Sequence, residues 1–532
     1  METIQVCVNE ANLLATLGYA FTNQFTVVKE LMQNARRAKA SFVAVDYDPA
    51  AEMLIVRDDG RGVADFQKLV TICESGWDEE TAKSENAFGM GFMKALYSAR
   101  HCTVISRGKA VTFHTARALR REPIEVKPLY TADGTIIVLE GIALPGLEAV
   151  MEELASGFPI EVRYNNRLLS RPYATDMPDM AFERTEIGWV ALAGRCDGKA
   201  SCATVLFLQG FAIAGNVHFA GGDNLVHLDP AQFLARLPDR EQLIDQLAVE
   251  RRVENVLREM WRHVIQEAKA RLPATELVAR YFDAAQYWSI TELFNEVPLL
   301  PGQLFYRVAG YPYQEGYAEA HYLEKLSGFV SREMLESGQI RLTEVDSPDG
   351  ENMALWMFAK ARGLTVFQPG GLHVDHWVWP YVAYPDAKDV EVRVNGETVR
   401  TCLDGQWIWP EVSLCESYSI RLGDNVVTIR DEALFWADED VILVPAGEWQ
   451  ARGVLQCSSF IDTDDHFRND LQQADGDALL ALIRRLRATD PVEAVQSLVE
   501  QLNLEKYPLL HGRTFRLTVG PAPGQHAVEL VA

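Results

Sequence analysis

The sequence has no apolar run of 18 residues, which excludes a helical membrane span. It has no Cys-x-x-Cys pair. Its eight cysteines are scattered at 7, 73, 102, 196, 202, 402, 415 and 457, which suggests neither a zinc ribbon nor a disulfide framework. Its Gly-x-Gly segments lack both the third glycine of a dinucleotide fingerprint and the Gly-Lys-Ser/Thr of a P-loop. There is no internal repeat and no low-complexity tract, so a solenoid or a tail-like chain is not expected. The opening Met1-Glu-Thr-Ile-Gln-Val6 lacks the basic and apolar regions of a signal peptide, and with unpaired cysteines the expected setting is a reducing cytoplasm. Positive charge is scarce, with 50 Lys and Arg against 75 Asp and Glu, a net charge of −25. That balance argues against nonspecific nucleic-acid binding, which relies on phosphate neutralisation, but leaves room for a local basic patch. Two small clusters exist, Arg36, Arg37 and Lys39, then Arg117, Arg120 and Arg121, and each reads as a solvated face.

What the sequence does have is a globular composition, 48% hydrophobic and 23% charged over 532 residues. A chain this long exceeds one core, and about three domains is the natural expectation. Between Glu30 and Gly91 it carries three short elements in order: Glu30-Leu-Met-Gln-Asn34, Asp58-Asp-Gly60-Arg-Gly62, and Phe88-Gly89-Met-Gly91-Phe92.

The first lies on an amphipathic helix. Apolar residues at Phe25, Val28, Leu31, Met32, Ala35 and Ala38 recur at helical spacing, which predicts a helix from Phe25 to Ala40. Glu30 and Asn34 are four residues apart and share one face. A carboxylate there can orient and deprotonate a water, and an amide oxygen can hold a magnesium ion against phosphates. Alone, the pair reads as two solvated polar residues on a surface helix. The second element follows a predicted hairpin, Ser41 to Asp46 and Met53 to Arg57, with Asp48-Pro49 as its turn. Its glycines permit close backbone approach, and its carboxylate can accept from an adenine amino group. Alone, it is an ordinary strand-exit turn. The third precedes a predicted helix, Phe92 to Ala99, where glycine amides at a helix start offer an anion site. Lys83 and Lys94 are nearby cations. Alone, it is a turn that starts a helix.

Together, the three resemble the GHKL ATPases, the superfamily of DNA gyrase, the ninety-kilodalton heat-shock chaperone, histidine kinases and MutL-type repair proteins. Glu30 to Asn34 is similar to that family's N box, Val56 to Gly62 to its first glycine box, and Ala87 to Phe92 to its second. Asp133-Gly-Thr135-Ile-Ile-Val-Leu139 is similar to the strand that closes the adenine pocket, and Cys102 to Arg107 also fits. The resemblance covers about residues 5 to 142 and is closest to chaperone-like and MutL-like members. It implies an α/β (α+β) fold: an N-terminal Bergerat-type α/β sandwich over residues 1–142, an α/β transducer-like domain over 155–275, and a mixed α+β region of unknown function over 276–532. It also implies ATP and Mg2+ as cofactors. By this carry-over Glu30 is the general base, Asn34 holds Mg2+, and Asp58 accepts from adenine with Thr135 in support. Gly60, Gly62 and Ala38 shape the adenine pocket. Phe88, Gly89, Met90, Gly91 and Phe92 wrap the triphosphate, with Lys83 within reach of phosphate. Residues 74–85 are a candidate lid, polar except for Trp77. One departure stands out: chaperone and MutL members carry an acidic residue three after the magnesium Asn, where this chain has Arg37.

Past residue 142 the sequence predicts a short helix around 147–154 and strands at 160–164, 189–193, 203–208 and 212–217, with Asn165-Asn166 and Gln209-Gly210 as turns. A long helix follows, with Leu247, Val249, Val253, Val256, Leu257, Met260, Trp261, Val264 and Ile265 on one face. Leu237-Pro-Asp-Arg240-Glu241 resembles a chaperone middle-domain loop whose arginine reaches ATP, which makes Arg240 a candidate arginine finger. Its ordinary reading is an arginine paired with local carboxylates. Beyond 276, strands are expected at 391–399 and 418–429 around Asn-Gly and Gly-Asp turns, and helices near 318–327, 478–487 and 492–502. Asp462 to Asp465 reads as a solvated acidic turn.

The expected reaction is hydrolysis of ATP to ADP and phosphate, coupled to lid closure and pairing of two protomers. A DNA-transaction or genome-defence ATPase of MutL or MORC type, a chaperone-like remodelling ATPase and a non-hydrolysing nucleotide-sensing scaffold are the alternatives. The sequence does not decide between a protein client and DNA as partner, and it suggests no membrane association. A histidine kinase ranks last, because none of the 29 residues before Glu30 is a histidine.

Overall fold

The first strands alternate cleanly between faces, and that alternation builds the sheet on which the candidate residues sit. In the computed structural model, β1 (Phe42–Asp48) pairs antiparallel with β2 (Met53–Asp58). The Asp48 carboxylate closes the intervening turn by accepting from the N–H groups of Ala50 (2.9 Å) and Ala51 (3.2 Å). The structure describes residues 3–21, 23–74, 76–85, 89, 91–129, 134–178, 180–213, 222–236, 241–315, 318–319, 322–346, 352–457, 460–500, 504–520, 522 and 524–531.

The sheet continues with β3 (His101–Ser106), β4 (Lys109–His114), β5 (Val126–Pro128) and β6 (Thr135–Glu140), then β7 (Glu161–Tyr164) and β8 (Arg167–Leu168). The order across it is β5-β4-β3-β6-β2-β1-β7-β8. β7 lies parallel to β1 while the other pairs are antiparallel, so the sheet is mixed. The inward residues Val43, Val45, Leu54, Val56, Cys102, Val104, Ile137 and Leu139 meet helices in one continuous core. Those helices include α2 (Thr26–Arg37), which contributes Val27, Val28, Leu31, Met32 and Ala35, and α5 (Met93–Ser98), which contributes Met93 and Leu96. Between them in sequence lie α3 (Phe66–Val70) and α4 (Glu79–Glu85), and α1 (Glu10–Leu17) precedes them. α6 (Thr115–Leu119) follows β4, and α7 (Leu147–Ser156) buries Leu147, Met151, Leu154 and Ala155 in the same core. Helices against one side of a mixed sheet make this an α/β sandwich.

A second sheet, of five strands, follows the eight-stranded one, ordered β12-β11-β13-β10-β9, from β9 (Glu183–Thr185), β10 (Gly188–Ala191), β11 (Thr204–Leu208), β12 (Phe211–Ala212) and β13 (Asn224–Leu228). The Asn165-Asn166 and Gln209-Gly210 turns form as expected, with positive φ at both residues of each. α8 (Gln246–Arg271) buries Val249, Val253, Leu257, Trp261, Val264, Ile265 and Ala268, spaced by three and four. Leu247, expected on that stripe, is 72% exposed.

The chain divides into two compact units, Met1–Pro273 with Arg280–Leu293, and Ala274–Ala279 with Phe294–Ala532. In the second, the described residues of the stretch 318–327 do not form the helix expected there. Ala318–Glu319 and Leu323–Lys325 are strands, the latter pairing with Phe305–Val308. Local helix preference there yields to edge pairing, which seats Tyr322 edge-on against the buried Trp356 at 5.2 Å. The expected Asn395-Gly396 turn is also corrected. Val390–Cys402 is one continuous strand that pairs with Glu411–Leu422 and passes residues 397–399 through an irregularity in register. The Gly423-Asp424 turn does form, joining Glu411–Leu422 to Asn425–Ile429. The helices Asn469–Arg487 and Pro491–Glu500 match expectation, the first starting earlier than the sequence suggested. Asp462 closes its own turn, accepting from the N–H groups of Asp464 (3.0 Å) and His466 (2.9 Å). Among the described residues no helix is long and apolar enough to cross a membrane.

Candidate functional site

α2 turns its apolar stripe to the sheet, which leaves Glu30 and Asn34 on an adjoining face. Glu30 is not a solvated surface carboxylate: it is 4% exposed. Asn34, one turn on, is half-buried. Gly91 explains part of that burial. A Cβ at position 91 would fall well inside contact distance of the Glu30 carboxylate, so the second glycine segment rests directly on the first element. Gly89 lies against the Glu74 backbone, with an imagined Cβ 2.5 Å from the carbonyl, and Phe92 is buried at the start of α5.

The second element meets the other end of α2. Gly60 approaches Ala38 so closely that an added Cβ would sit 2.6 Å from the Ala38 methyl. The neighbouring Arg61 N–H donates to the Ala38 carbonyl at 2.9 Å. Asp58, the last residue of β2, stands opposite Thr135 in the β2–β6 register. Its carboxylate accepts from the Gly60 N–H at 2.9 Å. Burial pushes the Asp58 carboxyl up to about 6; the Gly60 hydrogen bond opposes the shift and the nearby Asp59 charge adds to it. Gly62 packs on Ser106 and Arg107 at the end of β3. Glu30, Asn34, Ala38, Asp58, Gly60, Gly62 and Thr135 are thus carried by α2 and the residue that follows it, by β2 with its exit turn, and by β6.

Several residues at this place were not singled out by the sequence. Ser106 is fully buried and accepts from the Val63 N–H (2.9 Å), donates to the Gly134 carbonyl (2.6 Å) and lies 3.3 Å from the Thr135 hydroxyl. Its signal was available: Cys102, Val104 and Ser106 alternate along the inward face of β3, so the serine occupies a core position. Arg36 and Arg37 are a correction to the solvated-face reading. Arg37 is 6% exposed, and Arg36 grips Glu85, the last residue of α4, with both guanidinium nitrogens, one at 2.8 Å. Glu85 also lies 3.9 Å from Arg37, so a carboxylate from α4 faces the position where the family carries its own acid. The second basic cluster is exposed, as expected, with Arg117 and Arg120 paired to Glu122 and Arg121 to Glu10.

The polar 74–85 segment contains α4. Asp78 caps it by accepting from the Thr81 N–H at 2.8 Å, and that bond together with Arg61, 2.9 Å away, holds the Asp78 carboxyl well below the usual range. Arg61 also lies 5.0 Å over the Trp77 ring. Lys94 is buried against Phe21, 5.2 Å from the ring centre. Lys83 is on α4, but its side chain, with Phe88, Met90 and Arg240, lies outside the described residues. The neighbouring Glu241 accepts from Asn23 and from Lys29 (3.4 Å) just before and within α2. A cavity of about 1020 Å3 is lined by Phe66, Leu69, Phe92, Leu96, Val104 and Ile124 among others; of the candidate residues it touches Phe92.

Residues 22–131 match the family model for the histidine kinase-, DNA gyrase B- and HSP90-like ATPase. The N-terminal domain belongs to the GHKL ATPase superfamily. The match takes in α2, both glycine segments and β1 to β5, and ends four residues before Thr135. The α+β architecture agrees with it, and nucleotide binding is what such a domain is built to do. A comparison with curated proteins returned no match to the chain.

Proposed function

We propose that this GHKL protein binds ATP between α2, the two glycine segments and the β2–β6 strand ends, and hydrolyses it to ADP and phosphate. The observation that carries this reading is the convergence of Glu30 and Gly91 at one end of α2 with Asp58, Gly60 and Ala38 at the other. Asp58, ionised, accepts the adenine amino hydrogens, with Thr135 beside it. Gly60, Gly62 and Ala38 leave room for a flat base. Gly89, Met90, Gly91 and Phe92, with Phe88, take the phosphates, and Lys83 reaches them from α4. Asn34 offers an amide oxygen to Mg2+, which supplies neutralising charge to the phosphates when bound. Glu30 draws the proton from the attacking water, and its burial against Gly91 fixes its direction. Arg240 is next in sequence to the anchored Glu241, and it stabilises charge on the transferring phosphoryl group as an arginine finger.

The second sheet and α8, within residues 155–275, act as the transducer, and residues 74–85 act as a lid whose state follows the nucleotide. Pairing of two protomers in the ATP state and a cytoplasmic setting complete the proposal. Titration calorimetry with ATP and Mg2+, followed by phosphate release, tests it. Glu30→Gln is expected to keep ATP affinity and to lose about a hundredfold or more in turnover. Absence of nucleotide binding by the wild-type chain would refute the reading outright.

A further inference from the structure

The polar contacts around Glu85 do not end at α2. Gln209 lies at the tip of the β11–β12 turn in the second sheet, and its Nε2 donates to the Glu85 carbonyl at 2.7 Å. Gln33, one residue before Asn34, donates through Nε2 to the Gln209 carbonyl at 2.9 Å and lies 3.4 Å from the Gln209 side-chain oxygen. The Gln33 side-chain oxygen in turn accepts from Arg36 Nε at 2.9 Å, and Arg36 returns to Glu85. Four side chains and two backbone carbonyls therefore close a ring through three elements: α2, the end of α4 and a turn of the second sheet. Gln33 is 2% exposed, so its amide needs these partners.

The turn has a feature of its own. Gln209 has φ +56, a left-handed conformation that residues with a Cβ adopt at a cost, and Gly210 follows at φ +88. A non-glycine residue held there by surrounding contacts points to a task for its side chain. The ring supplies one. Any shift of the β11–β12 turn pulls at once on Gln33, beside Asn34, and on Glu85, four residues before Gly89.

We propose that Gln209 is a positioning residue for ATP hydrolysis. By bridging Gln33 and Glu85 it fixes α2, with Glu30 and Asn34, relative to the glycine segment around Gly89 and Gly91, and so makes turnover depend on the second sheet. This rests on the nucleotide reading above. Gln209 bonds to Gln33 and Glu85, neither of which is among the residues assigned to adenine, so its removal alters the geometry of the reacting groups rather than binding of the base. Near-attack geometry is steeply sensitive to ångström-scale displacement, and the expected loss in kcat is about tenfold to a hundredfold.

The test uses the full chain. Gln209→Ala and Gln209→Glu are compared with wild type for kcat and KM with ATP, and for ADP affinity by calorimetry. Gln209→Glu keeps the length of the side chain but removes the donor to the Glu85 carbonyl, so it stands in should the alanine variant not fold. Both are expected to lower kcat by about tenfold or more while ADP affinity stays within about twofold. Arg36→Glu and Glu85→Arg, each expected to lower kcat alone, are expected to recover to within about threefold of wild type when combined. Wild-type kcat in both Gln209 variants overturns the proposal. So does a parallel loss of kcat, ADP affinity and thermal stability, which marks a packing role only. A wild-type chain that binds no nucleotide overturns the nucleotide reading itself, and this proposal falls with it, whereas binding that survives with kcat insensitive to Gln209 sinks this proposal alone.

Discussion

Replacing Asp58 by Asn should make the ligand-free N-terminal domain more stable while it destroys nucleotide binding. The carboxyl of Asp58 is raised by burial from 3.8 to about 6, so the fold favours its neutral form. The sign follows from that direction. A carboxyl raised in the folded state contributes full stability below its unfolded value, and that contribution is lost as pH rises through the folded value. Between pH 4 and pH 8 the wild-type domain should lose about 3 kcal/mol on this account, since each unit is worth about 1.4 kcal/mol. Asn keeps the oxygen that accepts from the Gly60 N–H and carries no charge, so it escapes this loss. At pH 8 the variant should melt about 6–12 °C above wild type, and near pH 4 the two should coincide. Binding runs the opposite way. The adenine amino group needs an ionised acceptor, so wild-type affinity should weaken about tenfold from pH 7 to pH 5 as Asp58 takes up a proton. The assay is a thermal melt across pH with and without nucleotide, backed by calorimetry. Equal melting temperatures at pH 8, or equal ATP affinity in variant and wild type, would refute the argument that this carboxylate is held half-buried for adenine.

Three further outcomes can be measured. Gly91→Ala puts a methyl into the Glu30 carboxylate, so kcat should fall about tenfold or more, read by phosphate release, while adenosine affinity is kept. Asp475, fully buried on the helix Asn469–Arg487, accepts from the N–H groups of Gln406, Trp407 (2.9 Å) and Ile408 (3.0 Å). Asp475→Ala should therefore destabilise the second unit by about 3 kcal/mol, seen as a lower denaturant midpoint, because three backbone donors lose a charged acceptor. Burial pushes Glu448 up to about 7, against the Gln450 N–H bond, and the nearby Glu432 charge adds to the shift. By the same sign rule the second unit should lose about 2–3 kcal/mol as pH rises from 5 to 8, and Glu448→Gln should flatten that slope in urea titrations.

The sequence alone carried most of the first sheet and named much of the candidate site. Periodicity of two marked β1 and β2, periodicity near four marked α2 and α8, and the Asp48-Pro49, Asn165-Asn166 and Gln209-Gly210 turns announced themselves by residue type, because backbone sterics and one-sided burial are local. Glu30, Asn34, Asp58, Gly60 and Gly62 were legible for the same reason: each lies in a short motif whose chemistry depends on spacing. What failed were readings that depend on partners far away in the chain. Arg36 and Arg37 looked solvated until Glu85 arrived from 49 residues on, and Glu30 looked exposed until Gly91 covered it. The stretch 318–327 has the local make-up of a helix, yet its residues 318–319 and 323–325 are drawn into sheet pairing, and Asn395-Gly396 has the make-up of a turn and lies inside a long strand. Gln209 read only as a turn; its bonds to Glu85 and Gln33 span 124 and 176 residues. Hydrogen bonds and charge pairs act over a few ångströms in space and carry no mark of sequence distance. Chain chemistry therefore determined which elements form, and tertiary structure decided which polar groups meet.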